Sequence, residues 1–286
     1  MKYALFVGCK IPARVPAYEQ AARAVLGELG IELVDLEFGC CGYPSRHLRL
    51  DAYLLLAGRN LALAGARGLD VLTLCQCCYG SLRHAQHLMR REPGLGVAVS
   101  DHLAREGLAL RSETTVRHLL DVLAREVGVE AIARRVTAAR RGLKVAAHYG
   151  CHALRPSDVV DLDNPHAPTV FEQLIAATGA EPVDWARRLD CCGAPLAETN
   201  AELAGRLRDV KLADARESGA EVVCTACPYC ETQLGPAARA VGLRTLLYPQ
   251  VLGLALGLAP RALGLDQDDA GAGPGRGTRP RHGQER

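Results

Sequence analysis

The chain has 286 residues, of which 49% are hydrophobic, and this is enough to bury the cores of two domains of ordinary size. The formal net charge is +2, so charge alone gives no reason to expect nucleic-acid binding. The sequence has no apolar run of about 18 residues, and residues 1–7 are too short for the apolar part of a signal peptide. We therefore expect a cytoplasmic protein without a direct membrane span.

The predicted secondary structure alternates between strands and helices in both halves of the chain. Apolar residues recur at helical spacing over residues 17–29, for example, and Gly30 follows as a helix stop. Such alternation is typical of an open parallel sheet. In chain order we predict strand 2–7, helix 17–29, strand 31–36, helix 50–65, strand 70–74 and a helix from about residue 79, then strand 144–147, helix 169–178, strand 181–184, helix 201–218 and strand 221–223.

Two further segments complete the predicted organisation. A connecting helix is predicted over residues 113–127, with His118 on it as a solvated or core residue. The C-terminus is rich in Gly, Pro and Arg, which predicts disorder. The apolar face of the connecting helix comprises Val116, Leu119, Leu120, Leu123 and Val127. The predicted domains are residues 1–140 including this helix, residues 141–260, and a tail at residues 261–286.

The 12 cysteines follow a pattern that occurs twice. Each half has one cysteine, then a Cys-Cys-Gly-x-Pro turn, then a Cys-x-x-Cys motif, and every motif directly follows a predicted strand. Because sites in open α/β sheets lie outside the carboxyl ends of the strands, the three loops of each half are expected to converge. The first set is Cys9, Cys40, Cys41, Cys75 and Cys78, and the second is Cys151, Cys191, Cys192, Cys227 and Cys230.

Ten cysteines in this pattern predict metal binding, because cytoplasmic cysteine clusters bind metal or act in catalysis more often than they form disulfides. A zinc site or a cubane iron–sulfur cluster takes four thiolates. Five thiolates with an adjacent pair suit a cluster with more than one kind of iron site, although zinc in one half stays open. Cys77 and Cys224 have no counterpart in the other half, so we expect neither to be a ligand, while Cys77 can compete for that role beside Cys78.

The doubled pattern resembles the CCG cysteine-rich domain pair, and within it the B subunit of CoB–CoM heterodisulfide reductase. The resemblance covers residues 3–258. It implies an α/β fold of two tandem, pseudo-symmetric Rossmann-like CCG domains with parallel sheets. The stretches that carry the resemblance are Tyr3-Ala4-Leu5-Phe6-Val7-Gly8-Cys9, Cys78-Tyr79-Gly80-Ser81-Leu82, His148-Tyr149-Gly150-Cys151-His152 and Cys227-Pro228-Tyr229-Cys230.

The resemblance also implies a function. In that family each domain holds a noncubane [4Fe-4S] cluster through its five motif cysteines, and all ten positions are filled here. A small-molecule or protein-bound disulfide binds between the two clusters and is reduced there. Electrons arrive from a ferredoxin-like C subunit, which receives them from a flavin-containing A subunit.

Residues beside the cysteines have expected roles of their own. His148 and His152 flank Cys151 and are candidate proton donors for catalysis, or hydrogen-bond partners of cluster sulfur. The glycine and proline of each Cys-Cys-Gly-x-Pro turn are expected to be structural, because glycine permits a positive φ and proline fixes the exit of the turn.

Other functions fit parts of the sequence. CCG pairs also occur in electron-transfer subunits of succinate-, glycolate- and lactate-type oxidoreductases. A structural zinc scaffold and a thiol redox switch are further alternatives, but equal filling of both five-cysteine sets argues against the first, and the adjacent pairs are unexplained by the second. No motif identifies the disulfide; Arg14, Arg46 and Arg155 are candidates to bind an anionic thiol.

Overall fold

The computed structural model describes residues 1–266, which contain two parallel four-stranded sheets. The predicted α/β fold with paired parallel sheets is therefore confirmed. The first sheet has the order β2-β1-β3-β4 and the second β6-β5-β7-β8. The strands are β1 Lys2–Phe6, β2 Glu32–Val34, β3 Asp70–Thr73, β4 Val116–His118, β5 Lys144–His148, β6 Glu181–Val183, β7 Val222–Thr225 and β8 Arg244–Leu247.

Helices connect the strands and cover the sheets. The longest two, α3 and α9, each follow a Cys-Cys-Gly turn. The α-helices are α1 Lys10–Arg14, α2 Pro16–Glu28, α3 Leu50–Ala66, α4 Gln76–Arg91, α5 Pro93–Ala104, α6 Leu119–Asp121, α7 Val129–Arg135, α8 Val170–Ala177, α9 Ala201–Glu217, α10 Pro228–Ala238 and α11 Tyr248–Ala255. Val122–Gly128 is a π-helical segment, and 3₁₀ turns lie at Tyr43–Ser45, Ala194–Leu196, Arg239–Val241 and Pro260–Leu263.

The pseudo-symmetry of the two halves extends to the register of the strands. Phe6 of β1 pairs with Thr73 of β3, and His148 of β5 pairs with Thr225 of β7. On the far side, Thr73 pairs with His118 of β4. Position by position, Phe6 is therefore the equivalent of His148.

The connecting helix predicted over residues 113–127 is wrong at its start. Val116–His118 forms β4 and pairs with β3, and the helical part begins only at Leu119. Burial alternates along β4, with Val116 and His118 buried and Arg117 half-exposed, which is the period of a strand. Apolar spacing of three and four residues also fits a helix, and pairing with β3 decides between the two.

The hydrophobic core joins the two halves. Two clusters of buried side chains fill the molecule, and each draws residues from both sheets. Leu5 shares one cluster with Val145, and Ala4 shares the other with Ala146. Helix α11 of the second half also packs on α2 of the first.

The packed part of the chain extends beyond residue 260. Pro260–Leu263 forms a 3₁₀ turn against α2, and Leu263 is fully buried. The predicted tail at residues 261–286 therefore begins too early, and its residues 267–286 lie outside the described part of the chain. Within residues 1–266, no helix is both long enough and apolar enough to cross a membrane.

Candidate metal centres

The cysteine motifs lie where the carboxyl ends of the strands meet the following helices. Cys75 precedes the first residue of α4 after β3, and Cys227 occupies the same place between β7 and α10. Cys9 follows β1 as the residue before α1, and Cys151 follows β5. The parallel topology thus brings the three loops of each half to one sheet edge.

The two Cys-Cys-Gly turns have the same backbone shape. Gly42 and Gly193 have φ values of 80° and 88°, and each leads into a 3₁₀ turn that contains a proline. The Gly42 amide donates to Cys40 Sγ at 3.4 Å, and the Gly193 amide donates to Cys191 Sγ at 3.4 Å. Glycine is needed because a Cβ on Gly193 would lie 2.7 Å from the carbonyl oxygen of Ala204.

All five motif cysteines of the first half line one small cavity. Hydrogen bonds from the Cys40 and Cys78 thiols lower the pKa of Cys41 to about 3. Cys9 is the exposed member of the set, whereas Cys75 is almost fully buried. The cavity is lined by Cys9, Cys40, Cys41, Cys75 and Cys78 together with Val7, Lys10, Tyr43, Pro44, Cys77 and Tyr229.

The thiols of the second half form a continuous series. Hydrogen bonds from Cys151 and Cys192 lower the pKa of Cys191 to about 2. Cys192 in turn interacts with Cys230, and Cys230 with Cys227. The pKa of Cys192 is raised to about 12, chiefly by its hydrogen bond to Cys191.

The two sets of thiols meet at a seam between the halves. The sulfur atoms of Cys75, Cys77 and Cys227 all lie within 4.8 Å of one another. Hydrogen bonds from Cys230, Cys75 and Cys77 lower the pKa of Cys227, so thiols of both halves stabilise one thiolate. The motif cysteines therefore form one group with two parts.

This donor set fits an iron–sulfur group in each half. Thiolates are soft ligands that select iron–sulfur clusters, zinc or Cu(I). The first set already surrounds a cavity, and one ring nitrogen of buried His148 lies within 4.8 Å of the sulfurs of Cys192 and Cys230. When bound, such groups supply single electrons.

The two candidate catalytic histidines have different surroundings. His148 is fully buried, and burial is the main reason that its pKa falls to about 3. His152 lies beside a cleft, its Nδ1 is 3.5 Å from Cys77 Sγ, and its ring packs edge-on against Tyr43 at 5.2 Å. Burial and the charge of Arg46 lower the pKa of His152.

Two functional neighbours, Lys211 and Trp185, were not predicted from the sequence. Lys211 of α9 is 1% exposed, donates to the Arg187 carbonyl and lies 4.5 Å above the Trp185 ring. Its burial lowers its pKa to about 8. Helical spacing was the available signal for Lys211, because Ala204, Lys211 and Ala215 share the buried face of α9.

The candidate arginines do not form one group. Arg46 and Arg155 line a cleft with His47, His84 and His152, whereas Arg14 lines a different cleft with Lys10. Arg46 stacks on the Tyr43 ring at 4.4 Å. The first cleft is therefore basic and opens beside the seam, because His152 contacts Cys77 from that side.

The fold and the buried thiols define a cysteine-rich, metal-binding protein with an internal duplication. The sequence model of a cysteine-rich domain family, CCG, matches residues 3–83 and 145–235. The chain belongs to this family.

Relatives extend the similarity over almost the whole chain. It is 36% identical over 280 residues to the B subunit of the ferredoxin/F420H2-dependent CoB–CoM heterodisulfide reductase of Methanosarcina acetivorans, covering 93% of each chain. It is 32% identical over 278 residues to the 8-methylmenaquinol:fumarate reductase membrane anchor subunit of Wolinella succinogenes, covering 93% of this chain and 96% of that one. The predicted resemblance to the heterodisulfide reductase B subunit is confirmed, and the relatives are subunits of oxidoreductases.

A solved structure shows the same fold. The chain aligns with a hypothetical protein from Helicobacter pylori at a TM-score of 0.73 and 17% identity, covering 93% of this chain and 51% of that chain. This likeness concerns the fold alone.

Proposed function

We propose that the chain is the iron–sulfur subunit of an oxidoreductase complex and reduces a disulfide between two noncubane [4Fe-4S] clusters. The observation that carries the proposal is the seam, where Cys75, Cys77 and Cys227 lie within 4.8 Å of one another. Breaking a disulfide takes two electrons and two protons and releases two thiols. Two adjacent one-electron centres suit this reaction better than one.

Each half supplies its own ligands in this proposal. The buried cysteines hold the cluster, and the glycine amides that donate to Cys40 and Cys191 favour the thiolate form of these two residues. The first cluster is assigned to Cys9, Cys40, Cys41, Cys75 and Cys78, and the second to Cys151, Cys191, Cys192, Cys227 and Cys230.

The two histidines are suited to different tasks. His152 borders the basic cleft and contacts Cys77, so its ring can pass a proton from solvent toward a product thiolate at the seam. His148 is enclosed and cannot exchange protons with solvent as readily. We therefore assign proton delivery to His152.

The basic cleft offers a way in for the substrate. Arg46 and Arg155 give it positive charge, and Leu50 and Tyr53 give it apolar walls. A disulfide with an anionic substituent is the class that this lining favours.

The expected partners follow from the relatives. Several of these relatives belong by name to heterodisulfide reductases, and two of the names include ferredoxin. We propose a complex in which a ferredoxin-like C subunit donates electrons to this chain and a flavin-containing A subunit supplies the ferredoxin-like one. We place this complex in the cytoplasm.

Viologen oxidation tests this function. Anaerobically purified protein, loaded with iron and sulfide, receives dithionite-reduced methyl viologen and a carboxylated disulfide. We expect viologen oxidation that depends on the disulfide and yields two thiols per disulfide. The Arg155→Gln variant should raise KM with little change in kcat. Fully loaded protein that oxidises no viologen with any disulfide would contradict disulfide reduction.

The similarity to the fumarate reductase anchor subunit favours a second candidate, electron transfer to or from a quinone. In that case the same protein should oxidise reduced viologen with a water-soluble quinone and leave disulfides unchanged. Measuring both acceptors side by side separates the two functions.

A further inference from the structure

The two metal centres have different neighbours on the first strand of each sheet. His148 of β5 is the equivalent of Phe6 of β1, since each pairs with a threonine on the next strand. Both side chains are fully buried. The second centre therefore has an imidazole ring where the first has a phenyl ring.

His148 has no satisfied ring nitrogen in the described part of the chain. Among residues 1–266, neither Nδ1 nor Nε2 makes a hydrogen bond, although the Arg188 backbone lies nearby and favours the charged ring. Buried polar groups rarely remain without a partner. One ring nitrogen is directed at the second centre, within 4.8 Å of the sulfurs of both Cys192 and Cys230.

A second difference has the same electrostatic sign. Lys211 is the eleventh residue of α9, and Asn60 is the eleventh residue of the equivalent helix α3. The charge of Lys211 acts on Cys230 and Cys192, because these thiolates favour its protonated form. Asn60 instead binds the Gly39 amide and the Cys40 carbonyl as a neutral group.

We propose that His148 donates a hydrogen bond to a sulfur of the second centre and makes this centre easier to reduce than the first. The inference rests on the proposed iron–sulfur function and adds an order to it. A donor to sulfur stabilises the more negative, reduced state and so raises the reduction potential. Phe6 has no N–H to offer, so the first centre lacks this effect. The first electron from the donor is therefore held in the second half.

The test is a redox titration followed by electron paramagnetic resonance on anaerobic full-length protein whose iron and sulfide have been measured. Wild-type protein should show two centres that titrate at different potentials. The His148→Phe variant, which copies the first half, should shift the higher potential downward while iron content stays the same. The His148→Asn variant keeps an N–H donor and should restore much of the shift.

Nitrogen spectroscopy provides a readout that folding alone does not change. In protein labelled with ¹⁵N-histidine, pulsed resonance should detect a weak nitrogen coupling at the higher-potential centre. This coupling should vanish in His148→Phe and persist in the control His152→Phe. Full iron content with unchanged potentials and coupling in His148→Phe would overturn the inference alone, whereas protein that binds no iron would overturn the proposed function with it.

Discussion

The two halves of this chain share a backbone but not the surroundings of their thiols. Topology, strand register and the left-handed glycine of each Cys-Cys-Gly turn are repeated. The differences lie in side chains at equivalent places, such as Phe6 against His148 and Asn60 against Lys211. Duplication has kept what holds a metal centre and has varied what adjusts its electrons.

The adjacent cysteines show the same contrast. In the first half the second cysteine, Cys41, has the lowered pKa, whereas in the second half it is the first cysteine, Cys191. The cause is the partner thiol, since Cys78 donates to Cys41 while Cys151 donates to Cys191. Equal motifs thus place negative charge at different points of the two centres.

The largest effect should come from removing one adjacent pair at a time. We expect Cys40→Ser with Cys41→Ser to lower iron from about eight to about four ions per chain, and Cys191→Ser with Cys192→Ser to do the same. Disulfide reduction should be lost in both, because one centre supplies only one electron. Iron analysis and the viologen assay measure this. If either double variant kept all its iron, the assignment of ligands to halves would be wrong.

A pH-dependent effect should follow from His118, whose equivalent in the second half is Leu247. Burial lowers the pKa of His118 from 6.5 to about 4. Between these values the unfolded chain binds more protons, so folding stability falls as pH drops from 6.5 toward 4. Changing His118→Leu should remove up to about 3 kcal/mol of this loss.

Urea unfolding at pH 7 and pH 5 measures the effect. The fall in the free energy of unfolding between these two pH values should be smaller in His118→Leu than in wild-type protein. An equal fall in both proteins would show that His118 does not titrate in this range.

A smaller loss is expected from the turn in the second half. Gly193→Ala places a side chain at a φ of 88° and 2.7 Å from the Ala204 carbonyl oxygen, which should cost roughly 1–2 kcal/mol of stability. Gly94→Ala is the matched control, because its Cβ meets nothing within 4 Å and it lies in helix α5. Equal unfolding free energies for the two variants would contradict the requirement for glycine.

The smallest effect should come from the cysteines without a counterpart. Cys224→Ser alters a buried strand position away from the seam and should leave iron content unchanged. Cys77→Ser should also keep the iron but disturb the contact with His152, which is visible as slower disulfide reduction. A loss of iron in Cys77→Ser would make Cys77 a ligand.

Much of this organisation could be predicted because the signals are local. Strand and helix periodicity predicted six strands and most of the helices that follow them, and the repeated motifs predicted which loops converge. The fourth strands β4 and β8 were missed, since Val116–His118 also fits helical spacing and only pairing with β3 decides its form.

Contacts between distant residues could not be predicted. Cys75, Cys77 and Cys227 come from different halves, and their closeness depends on how the two sheets pack. The unpaired ring of His148 is likewise a property of the assembled core. The sequence carried the donor set, while the seam and the asymmetry required the structure.

The most direct test of two centres is the content of iron, acid-labile sulfide and zinc in wild-type protein purified without oxygen. We predict about eight iron ions per chain with matching sulfide and no stoichiometric zinc. About four iron ions with one zinc ion would leave a single redox centre and contradict paired disulfide reduction. Zinc in both halves with little iron would contradict the enzymatic function altogether.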